Sequence, residues 1–146
     1  MSAKTLLAGA LLLAGIGLHL DAAEISDEEA ITAVIEGAYV QGFCVHMDPA
    51  MVREGFHEEF RVIFRDSDDA VGIWGRDEFV AYMLNEKTKR PADAKPTFRA
   101  RYPIVNVKGH AAVVRVQILR NDELFYDDFL SLYKMASGWK IVAKTF

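Results

Sequence analysis

The residues best placed to do chemistry lie in the run Phe125-Tyr126-Asp127-Asp128-Phe129-Leu130-Ser131-Leu132-Tyr133-Lys134. Its residues alternate, and the alternation that sends Tyr126, Leu130 and Leu132 to one face sends Asp128 with them. A carboxylate among apolar neighbours costs several kcal/mol unless it is partnered or takes up a proton. Three uses are open to such an acid: a hydrogen-bonded structural residue, an acid facing a ligand in a wet cavity, or a general base of raised pKa. Asp127 points the other way, toward solvent or an interface. His57, in Phe56-His57-Glu58-Glu59-Phe60, is the second candidate. It is either a structural residue or a polar handle at a pocket mouth, since imidazole donates and accepts near neutral pH.

Other chemistries are excluded. His46 and His110 have no partners at ligand spacing, so no metal site is expected. Cys44 is the single cysteine, which leaves no disulfide framework and no multi-cysteine metal site. No glycine-rich loop cradles a phosphate, and no cofactor is expected. A net charge of −4 gives no basic footprint for nucleic acid.

The elements that must position Asp128 and His57 begin after residue 23. Met1 to Lys4 is short and positive, Leu6 to Leu18 is apolar apart from its glycines, and Ala22-Ala23 supplies small residues. This is the layout of a secretory signal peptide over residues 1–23, too short for a comfortable membrane span. The alternative is an uncleaved N-terminal anchor. The expected mature product is exported, secreted or periplasmic, and free of the membrane after cleavage. Residues 24–146 then form one domain.

Ser26 with Asp27-Glu28-Glu29 is a capping box, and apolar residues from Ile31 through Tyr39 and Phe43 recur at helical spacing to His46. Gly37 and Gly42 within that helix imply a close neighbour. Asp48-Pro49 starts a second, short helix ending at Gly55. Arg61–Arg65 and Val71–Trp74 read as strands. A third helix follows Gly75, with Phe79, Val80, Met83 and Leu84 as its buried stripe. Beyond an exposed connection at Glu86–Lys95, the chain alternates to its end.

Register follows from keeping apolar residues together. Three-residue loops at Lys108–His110 and Asn121–Glu123 place Ala100 opposite Ile118, Tyr102 opposite Val116, and Val116 opposite Asp128. A four-residue loop at Met135–Gly138 pairs Leu132 with Ile141 and Asp128 with Thr145. One face becomes a core that includes Ile104 and Ala143, with Asp128 as its only charge and Tyr102 and Thr145 as that acid's expected partners.

Several pieces together resemble nuclear transport factor 2-like (NTF2-like) domains. They are Asp48-Pro49-Ala50, Phe56 to Phe60, Asp128 to Leu132, Lys134, and Gly138-Trp139-Lys140-Ile141-Val142 through Phe146. Their order is most similar to the putative lumazine-binding branch, near the SnoaL-like proteins. The resemblance implies an α+β, cystatin-like, cone-shaped roll: three N-terminal helices packed on a curved antiparallel sheet. It also implies a cavity between helices and sheet, and a homodimer through the outer sheet face, which here carries Arg115, Gln117, Phe125, Phe129, Tyr133 and Val142. Relatives include acid–base enzymes and pure binders, so the fold does not settle activity.

Three readings stay open. One is a binder of a small hydrophobic or aromatic molecule, with Tyr39, His57, Trp74, Tyr102, Tyr126 and Asp128 around the ligand. Another is a cofactor-independent isomerase or lyase/cyclase with Asp128 as general base, assisted by His57. The last is a protein-association module with a filled interior.

Overall fold

The computed structural model describes residues 25–146, so the expected signal peptide lies outside the described residues. Ser26 opens the first helix, α1 (Asp27–Val34), as its capping box predicts. Its hydroxyl accepts from the Glu29 N–H at 3.2 Å, and Glu29 Oε2 accepts from the Ser26 N–H at 2.9 Å. From Ile35 to His46 the same helix continues as a π-helix, with i→i+5 hydrogen bonds in place of the ordinary turns its spacing suggested. That wider turn buries Tyr39, Val40, Phe43 and Cys44 together.

Met47 ends the helix in a left-handed conformation, and the Asp48 carboxylate caps α2 (Pro49–Gly55) by accepting from the Ala50 N–H at 2.8 Å. Glycine is required where α2 crosses the π-helix. A Cβ on Gly42 would stand 2.9 Å from Met51 Cβ, and one on Gly55 only 2.3 Å from Ala38 Cβ. The close neighbour expected at Gly37 is absent among the described residues.

β1 (Phe56–Ser67), β2 (Ala70–Gly75), α3 (Arg76–Lys89), β3 (Phe98–Lys108), β4 (Ala111–Arg120), β5 (Glu123–Met135) and β6 (Gly138–Thr145) complete the chain. The six strands form one sheet in the order β2-β1-β6-β5-β4-β3. Two expectations are corrected here. The helices are not three at the N-terminus, because only the long α1–π helix and the short α2 precede the sheet, while α3 is inserted between β2 and β3. Nor is the sheet wholly antiparallel, since β1 runs parallel to β6. Within α3, Phe79, Val80 and Met83 are buried, but Leu84 turns to solvent.

The β3–β4 and β4–β5 hairpins have tighter turns than expected, and each takes up the missing residue as a bulge. Lys108 pairs with Ala111, so β3 and β4 meet around Gly109-His110, and a bulge at Tyr102-Pro103 restores the Ala100–Ile118 pairing beyond it. Proline suits that position because it has no N–H to give a ladder. The bulge turns Ile104 outward, which corrects its core placement. Asn121 and Asp122, at φ 53° and 69°, form the next turn, and a bulge at Phe125 brings Val116 opposite Asp128 as expected. The third bulge, at Val142, decides the site. Ile141 still pairs with Leu132, but Ala143 now meets Ser131, Lys144 meets Leu130, and Thr145 meets Phe129. Ala143 and Thr145 therefore leave the inner face, and Lys144 enters it.

The last hairpin is fastened to α1. Asp27 Oδ1 accepts from Lys134 Nζ at 2.7 Å and from Trp139 Nε1 at 3.1 Å, which holds the carboxyl below its ordinary range through those two hydrogen bonds. The core lies between the inner sheet face and the π-helix with α3, around Tyr39, Phe56, Phe60, Phe79, Leu130 and Ile141.

Candidate functional site

Asp128 does project inward, and it is 1% exposed. Its partners are not Tyr102 and Thr145. The Tyr39 hydroxyl, from the π-helix, donates to Asp128 Oδ2 at 2.6 Å. Lys144 Nζ lies 3.0 Å from Oδ1, an ion pair whose direction is off that of a good hydrogen bond. Lys144 is 4% exposed, so the inner face holds a buried pair rather than a lone acid. Its ammonium also sits over three rings, 3.9 Å from the Phe146 centroid, 5.4 Å from Tyr126 and 5.8 Å from Tyr39.

Burial dominates the titration of all three groups. Desolvation raises the Asp128 carboxyl, against the lowering pull of Lys144 and Tyr39. It lowers the Lys144 ammonium, against the pull of Asp128. Tyr39 is raised well above its ordinary value by burial, then by Asp128. Each member is thus pushed toward its neutral form by the site and held charged, or protonated in the tyrosine's case, by its neighbours.

Next to this trio is a cavity of about 760 Å³. Tyr126 is its bridge to the buried pair: it precedes Asp128 on the same face of β5, and its ring stacks on Tyr39 at 6.3 Å. The deep wall is Phe43, Cys44, Met47 and Met83, all buried. Phe98, Phe125 and Tyr82 form the sides, and Lys89, Lys95 and Arg120, all exposed, stand at the mouth. Arg90 closes one side by donating to the Cys44 and Val45 carbonyls at 2.8 and 3.1 Å. Those are end-of-helix carbonyls that would otherwise lack donors. Phe125, placed on the outer face by strict alternation, is turned into the cavity by its bulge.

The expected site residues divide. Tyr39, Tyr126 and Asp128 come together. Tyr102 sits apart, donating to Glu36 Oε1 at 2.7 Å. Trp74 packs on Phe64 and Tyr82, at 5.0 and 5.5 Å between centroids. His57 follows the inward Phe56 on β1 and so faces away from the core. Its Nδ1 accepts from the Glu59 N–H at 3.1 Å, and it lines a separate shallow depression with Arg53 and Arg76. Asp128 and His57 are not brought into one constellation. Asp128 is not among the residues lining the cavity, and a general base needs to come within about 3 Å of the proton it takes. Lys144 and Arg120 are the residues that sequence reasoning passed over.

Comparison with known proteins bears on this arrangement. Residues 26–146 match the family model described as "Putative lumazine-binding". Similar solved structures include a nuclear transport factor 2-like protein of unknown function from Silicibacter pomeroyi (TM-score 0.63, 23% identity, covering 83% of this chain and 97% of that one). Another, from Shewanella baltica, gives a TM-score of 0.64 at 20% identity over 80% and 89% of the two chains. A third, from Methylobacillus flagellatus, gives 0.62 at 19% identity over 84% and 91%. No curated protein matches the chain.

Proposed function

The chain belongs to the putative lumazine-binding family of nuclear transport factor 2-like domains, and from that premise we propose that it is an exported binder of a small hydrophobic or aromatic molecule. The observation that carries this reading is the aromatic cavity of about 760 Å³ beside Tyr126, within the range of roughly 300–1,000 Å³ typical of ligand pockets. A filled interior, as an association module would have, is the less suitable description. Catalysis by Asp128 is the weaker alternative, because Tyr39 donates to one of its oxygens, Lys144 pairs with the other, and among the described residues the carboxylate is only 1% exposed.

A homodimer through the outer sheet face fits the same reading. Ile63, Ile73, Ile104 and Phe129 are exposed there, and cross-strand pairing sets them in one row across the sheet.

Titration with N-phenyl-1-naphthylamine, a neutral aromatic probe whose fluorescence rises on burial, tests the binding site. Saturable binding of one probe per chain is expected, weakened about tenfold in a Phe98→Ala/Phe125→Ala variant, since two half-buried rings of the wall are lost. Absence of saturable binding removes the proposal.

A further inference from the structure

We infer that the molecule taken by this cavity carries an anionic group, held at the mouth by Arg120 and Lys95 while its apolar body lies inward; the inference rests on the small-molecule reading above. The cavity departs from the charge balance of the chain. The whole sequence has 21 acidic and 17 basic residues, yet the cavity wall has Lys89, Arg90, Lys95 and Arg120 against the single acid Glu86. Lys89 is neutralised by Glu86 at 2.6 Å. Arg90 is fixed to helix carbonyls. Arg120 and Lys95 have no acidic partner among the described residues, so their charge is available.

Arg120 is also oriented. Its guanidinium lies 4.0 Å from the centroid of Phe125, which steadies a long side chain while leaving its planar donor edge open. A ligand acid would meet a cation already stacked on the ring that its own apolar body contacts.

The deep end offers no such partner. Phe43, Cys44, Met47 and Met83 present no charge, and Lys144, the one buried cation among the described residues, is committed to Asp128. An acid pushed inward would lose its hydration with nothing to replace it. The gradient from buried aromatic and sulfur surface to an exposed basic rim therefore sets one polarity: apolar end in, acid out. Carboxylate, sulfonate and phosphate share this chemistry.

Two probes with a common skeleton test the inference, 1-anilinonaphthalene-8-sulfonate and neutral N-phenyl-1-naphthylamine, titrated at low and high salt. The sulfonate is expected to bind about tenfold tighter at low ionic strength, from two partly solvated charge contacts, and to lose most of that preference in 0.5 M salt. Arg120→Gln/Lys95→Gln should abolish the preference, so that the two probes bind alike at low and high salt. Both positions are exposed, so folding is retained. Phe98→Ala/Phe125→Ala should weaken both probes together. Phenyl phosphate and phenylacetate, used as competitors, tell which acid is preferred, and either one displacing the sulfonate supports the inference.

Equal affinities without salt dependence overturn it while leaving the binding site in place. Failure of both probes to bind removes site and inference alike. Survival of sulfonate binding in the phenylalanine variant puts the anion elsewhere and also overturns it.

Discussion

Removing the ammonium of Lys144 while keeping its bulk, by Lys144→Met, isolates the physics on which the inner face depends. Asp128 would be left 1% exposed with only the Tyr39 hydroxyl at 2.6 Å. Breaking a buried pair from one side costs about 3–5 kcal/mol, because the remaining charge is neither hydrated nor compensated. Tyr39→Phe removes one hydrogen bond to a charged acceptor and should cost about 1.5–3 kcal/mol. Replacing the whole trio is different. In Tyr39→Phe/Asp128→Leu/Lys144→Met no unpaired group remains, and stability should return to within about 2 kcal/mol of the starting protein, since buried pairs seldom outperform well-packed apolar side chains.

Urea unfolding at pH 7, with slopes compared to confirm a common unfolded state, measures all three. Acid supplies an internal check. Asp128 is raised above its ordinary 3.8 by burial, and losing Lys144 raises it further. A carboxyl whose folded pKa is raised binds a proton more readily when folded, so stability increases as pH falls through that raised value toward 3.8. The Lys144→Met deficit should therefore shrink between neutral pH and pH of about 4. A cost below about 1 kcal/mol for Lys144→Met, or a triple variant no more stable than the worst single one, would refute the buried-pair account.

Two other outcomes follow from the same geometry. Burial, followed by the nearby Asp128, pushes the Cys44 thiol from its ordinary 9.0 up to about 12. At pH 8 that cuts its thiolate fraction roughly a thousandfold, so a disulfide reagent should label native protein at least that much more slowly than urea-unfolded protein, and a ratio below about ten would contradict the burial. On the outer sheet face, Phe129→Arg places a second cation opposite Arg115 within the exposed apolar row. Light scattering coupled to size exclusion should show a dimer for the unchanged protein and a folded monomer for the variant. A monomer for both would remove the proposed interface.

What could be read from the sequence was what depends on local chemistry and on parity. Ser26 and Asp48 cap the helices they were expected to cap, because a capping side chain acts on amides two or three residues away. Ala100–Ile118, Val116–Asp128 and Leu132–Ile141 pair as expected, because a one-residue slip would have exposed the apolar face. The π-helix was illegible: its wider turn depends on packing by elements distant in the chain, and the apolar spacing of Ile31, Ile35, Tyr39 and Phe43 suits an ordinary helix as well. Phe125 and Ile104 depart from strict alternation for a single reason. Keeping apolar faces together demands an extra residue in each hairpin, and the chain puts it inside a strand rather than in the turn.

The inward turn of Lys144 is legible from the strand it faces. Strict alternation from Trp139 and Ile141 puts Ala143 inside and Lys144 in water, which local preference favours on both counts. Against it stands Asp128, whose inward placement follows from the Val116 register alone. An unpaired carboxylate there costs several kcal/mol, and an ammonium brought to it offsets that cost through its counter-charge while three aromatic rings share the cation. On the neighbouring strand β6, past the Ile141–Leu132 pairing, Lys144 is the one cation within reach of Asp128, and only an extra residue between Ile141 and Lys144 turns it inward. The demand of the acid for a partner thus contains the information that local pattern lacks: the bulge at Val142 follows from the charge on the facing strand.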